Sequence, residues 1–381
     1  MPRWLPLALL LATSAVQSDD YFPERDYWEQ RPASELGFDP DGLDEAVAWA
    51  RSQADTDPSD LYKMIYNHFA PREPDFRILG PTRPRAGDSG MIIRNGYIAA
   101  SWGDLDRADM VFSVAKSFLS TVAALALDDG AIIDLDEPVG RTVQEDHFAG
   151  PHNSAITWHH LLQQTSEWEG TLWDVPDWAD RPEGDDPADW PNRELQAPGS
   201  RYKYNDVRVN LLAYSLLQVM REPLPVVLRE RIMDPIGASP SWRWHGYHNS
   251  WVELDGQHMQ SVSGGGHFGG GMFISTEDMA RFGLLFKRRG GWDDQRVFSA
   301  DWIDTLAQPV ADRPDYGYLW WLNTDRERIP QAPESAYWAA GFGGNFIYVD
   351  EENDLVIVLR WIPELEETVA RVLDAINQPE G

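Results

Sequence analysis

The sequence predicts a mixed α/β chain of α+β arrangement, in which an antiparallel sheet flanked by helices is assembled from the two chain ends and an all-helical domain is inserted between them. Three observations carry this. Ser89 to Trp102 sets Asn95-Gly96 between two short apolar runs, a strong short-range hairpin signal. Near the C-terminus, 316–323, 344–350 and 354–361 read as strands, with a turn at Glu351 to Asp354. Between these groups, over 131–261, helical patterns dominate. The division is therefore 1–18 as a leader, 19–130 with 262–381 as one discontinuous sheet domain, and 131–261 as the helical domain.

Taken in order, Met1-Pro2-Arg3, the apolar Trp4 to Ala12 and small or polar residues through Ser18 have the layout of a secretory signal peptide. The stretch is too short to span a bilayer. It predicts a secreted or periplasmic protein, and with no second apolar run of 18 residues, no membrane span is expected in the mature chain. Residues 19–37 read as an irregular arm, 41–53 as a helix and 54–88 as irregular. After the hairpin, Ser117 to Leu127 forms an apolar helix stopped by Asp128-Asp129-Gly130. The stretch Trp168 to Pro198, dense in Trp, Asp and Pro, is too long for a connector and reads as a lid or binding surface. Helices follow at Val207 to Met220, 276–289, 300–308 and 364–377.

Composition removes several function classes. The 381 residues, 43% hydrophobic, can bury a sizeable core. There is no cysteine, which excludes a thiol nucleophile, thiolate metal sites and disulfides. A formal charge of −30 disfavours nucleic acid and anionic membrane surfaces as partners. The 32 basic residues are four lysines and 28 arginines. A chain that uses Arg wherever charge suffices keeps Lys where the amine must be able to lose a proton.

Ser113-Val114-Ala115-Lys116 puts such a lysine three residues after a serine, at the mouth of the apolar helix. The two side chains then share a helix face, and a neutral amine there can take the serine proton. Ser200-Arg201-Tyr202-Lys203 repeats the spacing but follows the turn Pro198-Gly199, as a loop residue capping the next helix does. Two tyrosines near that junction, Tyr202 and Tyr204, offer a phenol for proton delivery, and spacing alone leaves the choice open. Trp338 to Asn345 is rich in small residues, which lets a substrate carbonyl approach backbone N–H groups closely.

In this order the three elements resemble the serine β-lactamase, penicillin-binding and esterase superfamily, most closely its class C-like branch. The resemblance runs over roughly 38–377 and includes Ile156 to Ser166 and Ser263 to Gly266. It implies a β-lactamase/transpeptidase-like fold. Ser-x-x-Lys falls on Ser113 and Lys116, Tyr-x-Asn on Tyr204-Asn205-Asp206, and the third motif on Ala339-Ala340-Gly341. The alignment selects Tyr204. Two positions depart from the pattern: Asp206 replaces an amide, and Ala339 replaces a cation or imidazole. A carboxylate at 206 would hold Lys116 charged unless another cation shares it. Loss of the cation at 339 removes a charge-assisted contact to a substrate carboxylate, worth about 1.5–3 kcal/mol.

The resemblance implies an acyl-enzyme on Ser113, a proton relay through Lys116 and Tyr204, and an oxyanion hole from the backbone N–H groups of Ser113 and Phe342. Trp168, Trp173, Trp178, Trp190 and Trp338 are expected to shape an aromatic cleft, with His267, Asp206, Ala339 and Gly341 around the site. No cofactor or metal is expected. Gly264 to Gly271 lacks the Gly-Lys-Ser/Thr ending of a phosphate loop, and no His-Glu-x-x-His or Gly-x-Ser-x-Gly occurs. The expected partner is a small ester or amide, cleaved by a carboxylesterase or nylon-oligomer-amidase type of enzyme. A β-lactamase or D-alanyl-peptide hydrolase is the first alternative, and a non-catalytic binding or sensor module the second. Oligomeric state is not legible.

Overall fold

The computed structural model describes residues 20–57, 59–143 and 146–376. The leader read at 1–18 lies outside the described residues. The main sheet is antiparallel, in the order Trp321–Leu322, Tyr337–Gly341, Asn345–Asp350, Leu355–Arg360, Ser89–Arg94 and Tyr97–Trp102. The N-terminal hairpin joins the C-terminal strands through Ser89–Arg94 against Leu355–Arg360, with Ile92 opposite Ile357. The two chain ends thus build one sheet, as the strand pattern predicts.

Both faces of this sheet are covered, so Leu355–Arg360 is buried along its whole length and is apolar at every position but Arg360. On one face lie Val114–Asp128 and Thr276–Lys287; on the other, Pro40–Ser52 and Leu365–Asp374. Strand periodicity sends Ala339 to the first face and Trp338 to the second. Val114–Asp128 is buried from Val114 through Ala126. Its Ala and Ser positions let the sheet and the insertion approach it from both sides.

Three elements differ from the sequence expectation. Leu61–Phe69, inside the stretch read as irregular, is a helix capped by Asp60, whose carboxylate accepts from Lys63 N at 3.3 Å. Its apolar stripe is only Leu61, Met64 and Ile65, too short to stand out among Tyr, Asn and His. Apart from the short strand pair Thr171–Leu172 with Val175–Pro176, the regular elements of the insertion are helical as far as Met233, after which Arg243–Leu254 and Gln257–Val262 form a hairpin turning on Asp255-Gly256. With Gly271–Ile274 and Asp109–Met110 this hairpin makes a second, four-stranded sheet. The stretch 316–323 contributes only Trp321–Leu322 to the main sheet, because Tyr316 to Leu319 turn back through backbone bonds to Val310 and Leu306. Among the described residues, no single helix is long and apolar enough to cross a membrane.

Candidate active site

The strand Asp109–Met110 turns abruptly into the helix Val114–Asp128 through Phe112, which is held at a φ of 49°. A non-glycine residue there costs on the order of 1–3 kcal/mol. Ring packing of Phe112 against Phe342 and Trp361, at 5.3 and 6.3 Å between centroids, holds the turn. The turn leaves Ser113 at the helix N-cap and partly exposed, while Lys116, one turn on, is 1% exposed. Lys116 Nζ lies 2.9 Å from Ser113 Oγ.

The other partner of Lys116 is Asp206, at the N-terminus of the helix Asp206–Met220, with Oδ1 2.7 Å from Nζ. Its Oδ2 accepts from Arg181 Nη1 at 3.1 Å. Burial is the largest single influence and disfavours the Lys116 charge, but the charge and hydrogen bond of Asp206 together with Tyr204 outweigh it and raise the amine above the ordinary lysine value. Burial also works against the Asp206 charge, yet Lys116, Arg181 and His267 together hold this carboxyl far below the usual range. The resting pair is therefore an ammonium and a carboxylate. This corrects the sequence expectation of an uncharged amine: the departure at 206 sets the proton balance of the site. Gly265 closes over the pair, and a Cβ there would lie 1.8 Å from Asp206 Oδ1 and 2.1 Å from Lys116 Nζ.

Of the two tyrosines, Tyr204 is the one at the site, with Lys116 Nζ 4.6 Å and Arg181 Cζ 4.9 Å from its ring centroid. Tyr202 packs on Tyr316 instead, and its buried hydroxyl has no hydrogen-bond partner among the described residues. Between them and the helix, Asn205 is the N-cap, accepting from Arg208 N at 2.9 Å and donating to Asp177 O at 2.7 Å. The second Ser-x-x-Lys match does not assemble. Ser200 Oγ donates to Ala197 O at 2.7 Å, and Lys203 Nζ is buried without a hydrogen-bond partner among the described residues.

The strand Tyr337–Gly341 runs against the start of the Ser113 helix. A Cβ on Gly341 would meet Val111 O at 2.1 Å and Val114 N at 3.2 Å, so only glycine permits this approach. The next residue, Phe342, has its carbonyl fixed by Asn345 Nδ2 at 2.8 Å, and Asn345 in turn accepts from Arg360 Nε at 2.8 Å. This chain fixes the turn that follows Gly341. Ala339, 1% exposed on the same face of the strand, supplies no charge.

The long loop reaches the site through charge, not through its tryptophans. Trp168 is 1% exposed, with Nε1 bonded to His147 O at 2.7 Å, and so belongs to the core. Trp338 faces the sheet layer opposite Ser113. Neither shapes a cleft, contrary to expectation. Trp173 is half-buried, edge-on to Tyr214 with centroids 5.7 Å apart. Trp178 lines a separate cavity of about 510 Å³ with Phe76 and Phe268, and Trp190 bonds within the loop to Gly184 O.

The residues that do reach in are Asp180 and Arg181. Asp180 Oδ1 is 2.5 Å from Arg181 Nη1, and its Oδ2 accepts from Asp206 N. Behind Arg181, His267 Nδ1 accepts from Nη2 at 3.4 Å, and Nε2 bonds to Glu73 Oε2 at 2.7 Å. Burial raises the Glu73 carboxyl, with the His267 bond opposing it. Ligand atoms of Glu73, Asp180 and His267 fall within 4.8 Å of one another, a spacing seen in metal sites. The guanidinium already bonded to Asp180 and His267 supplies the positive charge, so the trio reads as the lining of an internal cation.

The loop is anchored by Arg208, 1% exposed, which donates to Glu167 Oε1 at 3.0 Å, Asp177 Oδ2 at 3.1 Å and Trp168 O at 3.2 Å. Arg208→Ala removes the ion partner of buried Glu167 and leaves Asp177 with Arg193, and is expected to lower unfolding free energy by about 3–5 kcal/mol. Denaturant titration with an unchanged midpoint would count against this anchoring.

A strained turn presenting Ser113, a buried Lys116 beside it and a close-packed glycine on the neighbouring strand form the candidate centre, on a fold whose class is that of a hydrolase. The comparisons agree. The beta-lactamase family model matches residues 91–361, and the chain belongs to that family. Over 195 residues it is 23% identical to a protein of Escherichia coli O157:H7 named "Putative D-alanyl-D-alanine carboxypeptidase" (42% of this chain, 45% of that protein). The chain thus spans less than half the length of the curated relatives it matches. Among solved structures it is similar to a family VIII carboxylesterase, with a TM-score of 0.55, 15% identity and coverage of 77% of this chain and 92% of the other. A protein of Bacillus anthracis named "Putative 6-aminohexanoate-dimer hydrolase" gives a TM-score of 0.53, 14% identity and coverage of 93% of this chain and 97% of the other. At these identities the structural likenesses are of fold.

Proposed function

We propose that this chain is an exported serine hydrolase, secreted or periplasmic, that cleaves a small ester or amide through an acyl-enzyme on Ser113. The observation that supports it best is the 2.9 Å contact of Lys116 Nζ with a partly exposed Ser113 Oγ, the amine itself being buried. Ser113 Oγ attacks the carbonyl carbon, Lys116 and Tyr204 carry its proton to the leaving group, and water then releases the acyl group. Ala339 favours substrates without a carboxylate beside the scissile bond over β-lactams or D-alanyl peptides.

A fluorophosphonate probe tests the acyl-enzyme, with Ser113→Ala as control. Paired assays on p-nitrophenyl esters and nitrocefin test the substrate class: dominant nitrocefin turnover would reverse the ordering, and a folded, unlabelled wild type would favour a binding module. Tyr204→Phe is expected to slow ester turnover by about 10²–10⁴-fold, the range for a general acid or base. An unchanged rate would move the proton delivery to another group.

Asp206 raises Lys116, so the amine must shed a proton before it accepts one from Ser113. Below the Lys116 pKa the competent fraction grows about tenfold per pH unit. The expected profile of kcat/KM therefore climbs with pH through the neutral range into the alkaline. A plateau already reached at neutrality would contradict it.

A further inference from the structure

The loop Trp168 to Pro198 carries a cation into the centre of the site, and its contacts are more than those of a clamp. Arg181 comes from no helix or strand. It sits at a φ of 51°, a left-handed turn that directs it and Asp180 inward together. One nitrogen, Nη1, bridges Asp180 Oδ1 at 2.5 Å and Asp206 Oδ2 at 3.1 Å, while Lys116 holds the other oxygen of Asp206. The two cations thus divide one carboxylate between them. The backbone of Arg181 is tied to Glu73 Oε1 at 3.3 Å, and the guanidinium lies 4.9 Å from the Tyr204 ring centroid and 5.9 Å from that of Phe69.

We propose that Arg181 is a positioning residue of this hydrolase: by pairing with Oδ2 of Asp206 while Lys116 pairs with Oδ1, it shares the charge of that carboxylate, and the docked loop thereby sets how readily the amine gives up its proton to serve Ser113. The proposal rests on the serine-hydrolase reading and deepens it.

The groups facing Lys116 fix the sign. From its own helix comes only the Ser113 hydroxyl; from the Asp206–Met220 helix and its N-cap turn come Asp206 and the Tyr204 ring; from the loop comes Arg181, with Asp180 beyond it. His267 and Glu73 stand behind Arg181; the His267 ring also comes within 3.9 Å of Asp206 Oδ2, while Glu73 reaches the pair through His267 and the Arg181 backbone. Asp206 stabilises the ammonium and Arg181 opposes it. Removing Arg181 takes the guanidinium from Oδ2 of a buried carboxylate, leaving the His267 ring 3.9 Å away on that side, so more of the Asp206 charge falls on Lys116 and the amine keeps its proton to higher pH. Since 36% of the Arg181 side chain is exposed, in a cavity of about 280 Å³ shared with His68, Phe69 and Arg72, loop opening would have the same effect as the substitution.

The test is the pH profile of kcat/KM for a p-nitrophenyl ester in Arg181→Gln, Arg181→Lys and wild type, each full-length, with a thermal transition measured alongside. Arg181→Gln is expected to move the alkaline rise up by about one pH unit, to be about tenfold slower near neutrality and to recover at high pH; Arg181→Lys is expected to restore most of the neutral rate. A Gln profile that superimposes on wild type, or one lowered equally at every pH, overturns the proposal. Arg181→Met, which keeps the packing stem on Phe69 and Tyr204, repeats the test if the Gln variant does not fold. Loss of a cooperative transition in both neutral variants assigns Arg181 to the scaffold and also overturns it. Failure of the wild type to take the fluorophosphonate label reports on the underlying reading separately.

Discussion

Lys116→Arg is expected to reduce acylation of Ser113 by at least about 10³-fold, toward the upper end of what general base catalysis contributes. The substitution is the sharpest available because it keeps the charge. Asp206 retains a cation opposite Oδ1, so the buried pair survives in kind. What disappears is the ability to become neutral, since a guanidinium does not deprotonate in the working range. Lys116→Ala loses the same chemistry and also leaves Oδ1 of Asp206 without its cation, Arg181 and His267 both lying on the Oδ2 side. Phosphonate labelling rates should therefore collapse in both variants, while thermal stability falls more in Ala than in Arg. Comparable labelling of wild type and Arg variant would mean that the site needs only a positive charge near Ser113.

Gly265→Ala is expected to damage stability and activity together. The residue needs no special backbone angle; the constraint is spatial. A methyl group there falls 1.8 Å from Asp206 Oδ1 and 2.1 Å from Lys116 Nζ, so the 2.7 Å ion pair must open or the glycine-rich turn must move. Opening a fully buried pair costs about 3–5 kcal/mol. A displacement of about 1 Å at the nucleophile's partner lowers turnover by about 10²-fold. Gly87→Ala, at a position with nothing within 4 Å of the added carbon, is the control and should match wild type. If Gly265→Ala also matches wild type in kcat/KM and thermal midpoint, the turn over the pair is far more yielding than its contacts imply.

Much of this site is legible because its core is local. Ser113 and Lys116 are one helical turn apart, on a helix whose small apolar residues announce burial, and spacing alone brings their side chains together. The main sheet is legible for a similar reason: Asn95-Gly96 and the apolar runs near the C-terminus are strong local signals. Arg181 was invisible. It lies in a stretch without periodicity, and its partners stand at positions 73, 206 and 267, so no window of sequence contains the network. The departure of Asp206 from the amide pattern was the one clue, since a buried carboxylate beside a lysine calls for a second cation.

The misreadings have equally particular causes. Trp168 and Trp338 flank the motifs in sequence, but proximity along the chain does not fix a face. Counting alternate residues from Ala339 places Trp338 on the opposite side of the strand. The hairpin Arg243–Leu254 with Gln257–Val262 carried its own signal in Asp255-Gly256, masked by helical segments before it.

The account stands on covalent chemistry at one hydroxyl. Peptide mapping by mass spectrometry after exposure of the folded protein to a fluorophosphonate tests it most directly. A single adduct on the peptide bearing Ser113, absent from Ser113→Ala, is the predicted result. A folded wild type that stays unmodified, or an adduct on Ser200 instead, would contradict it.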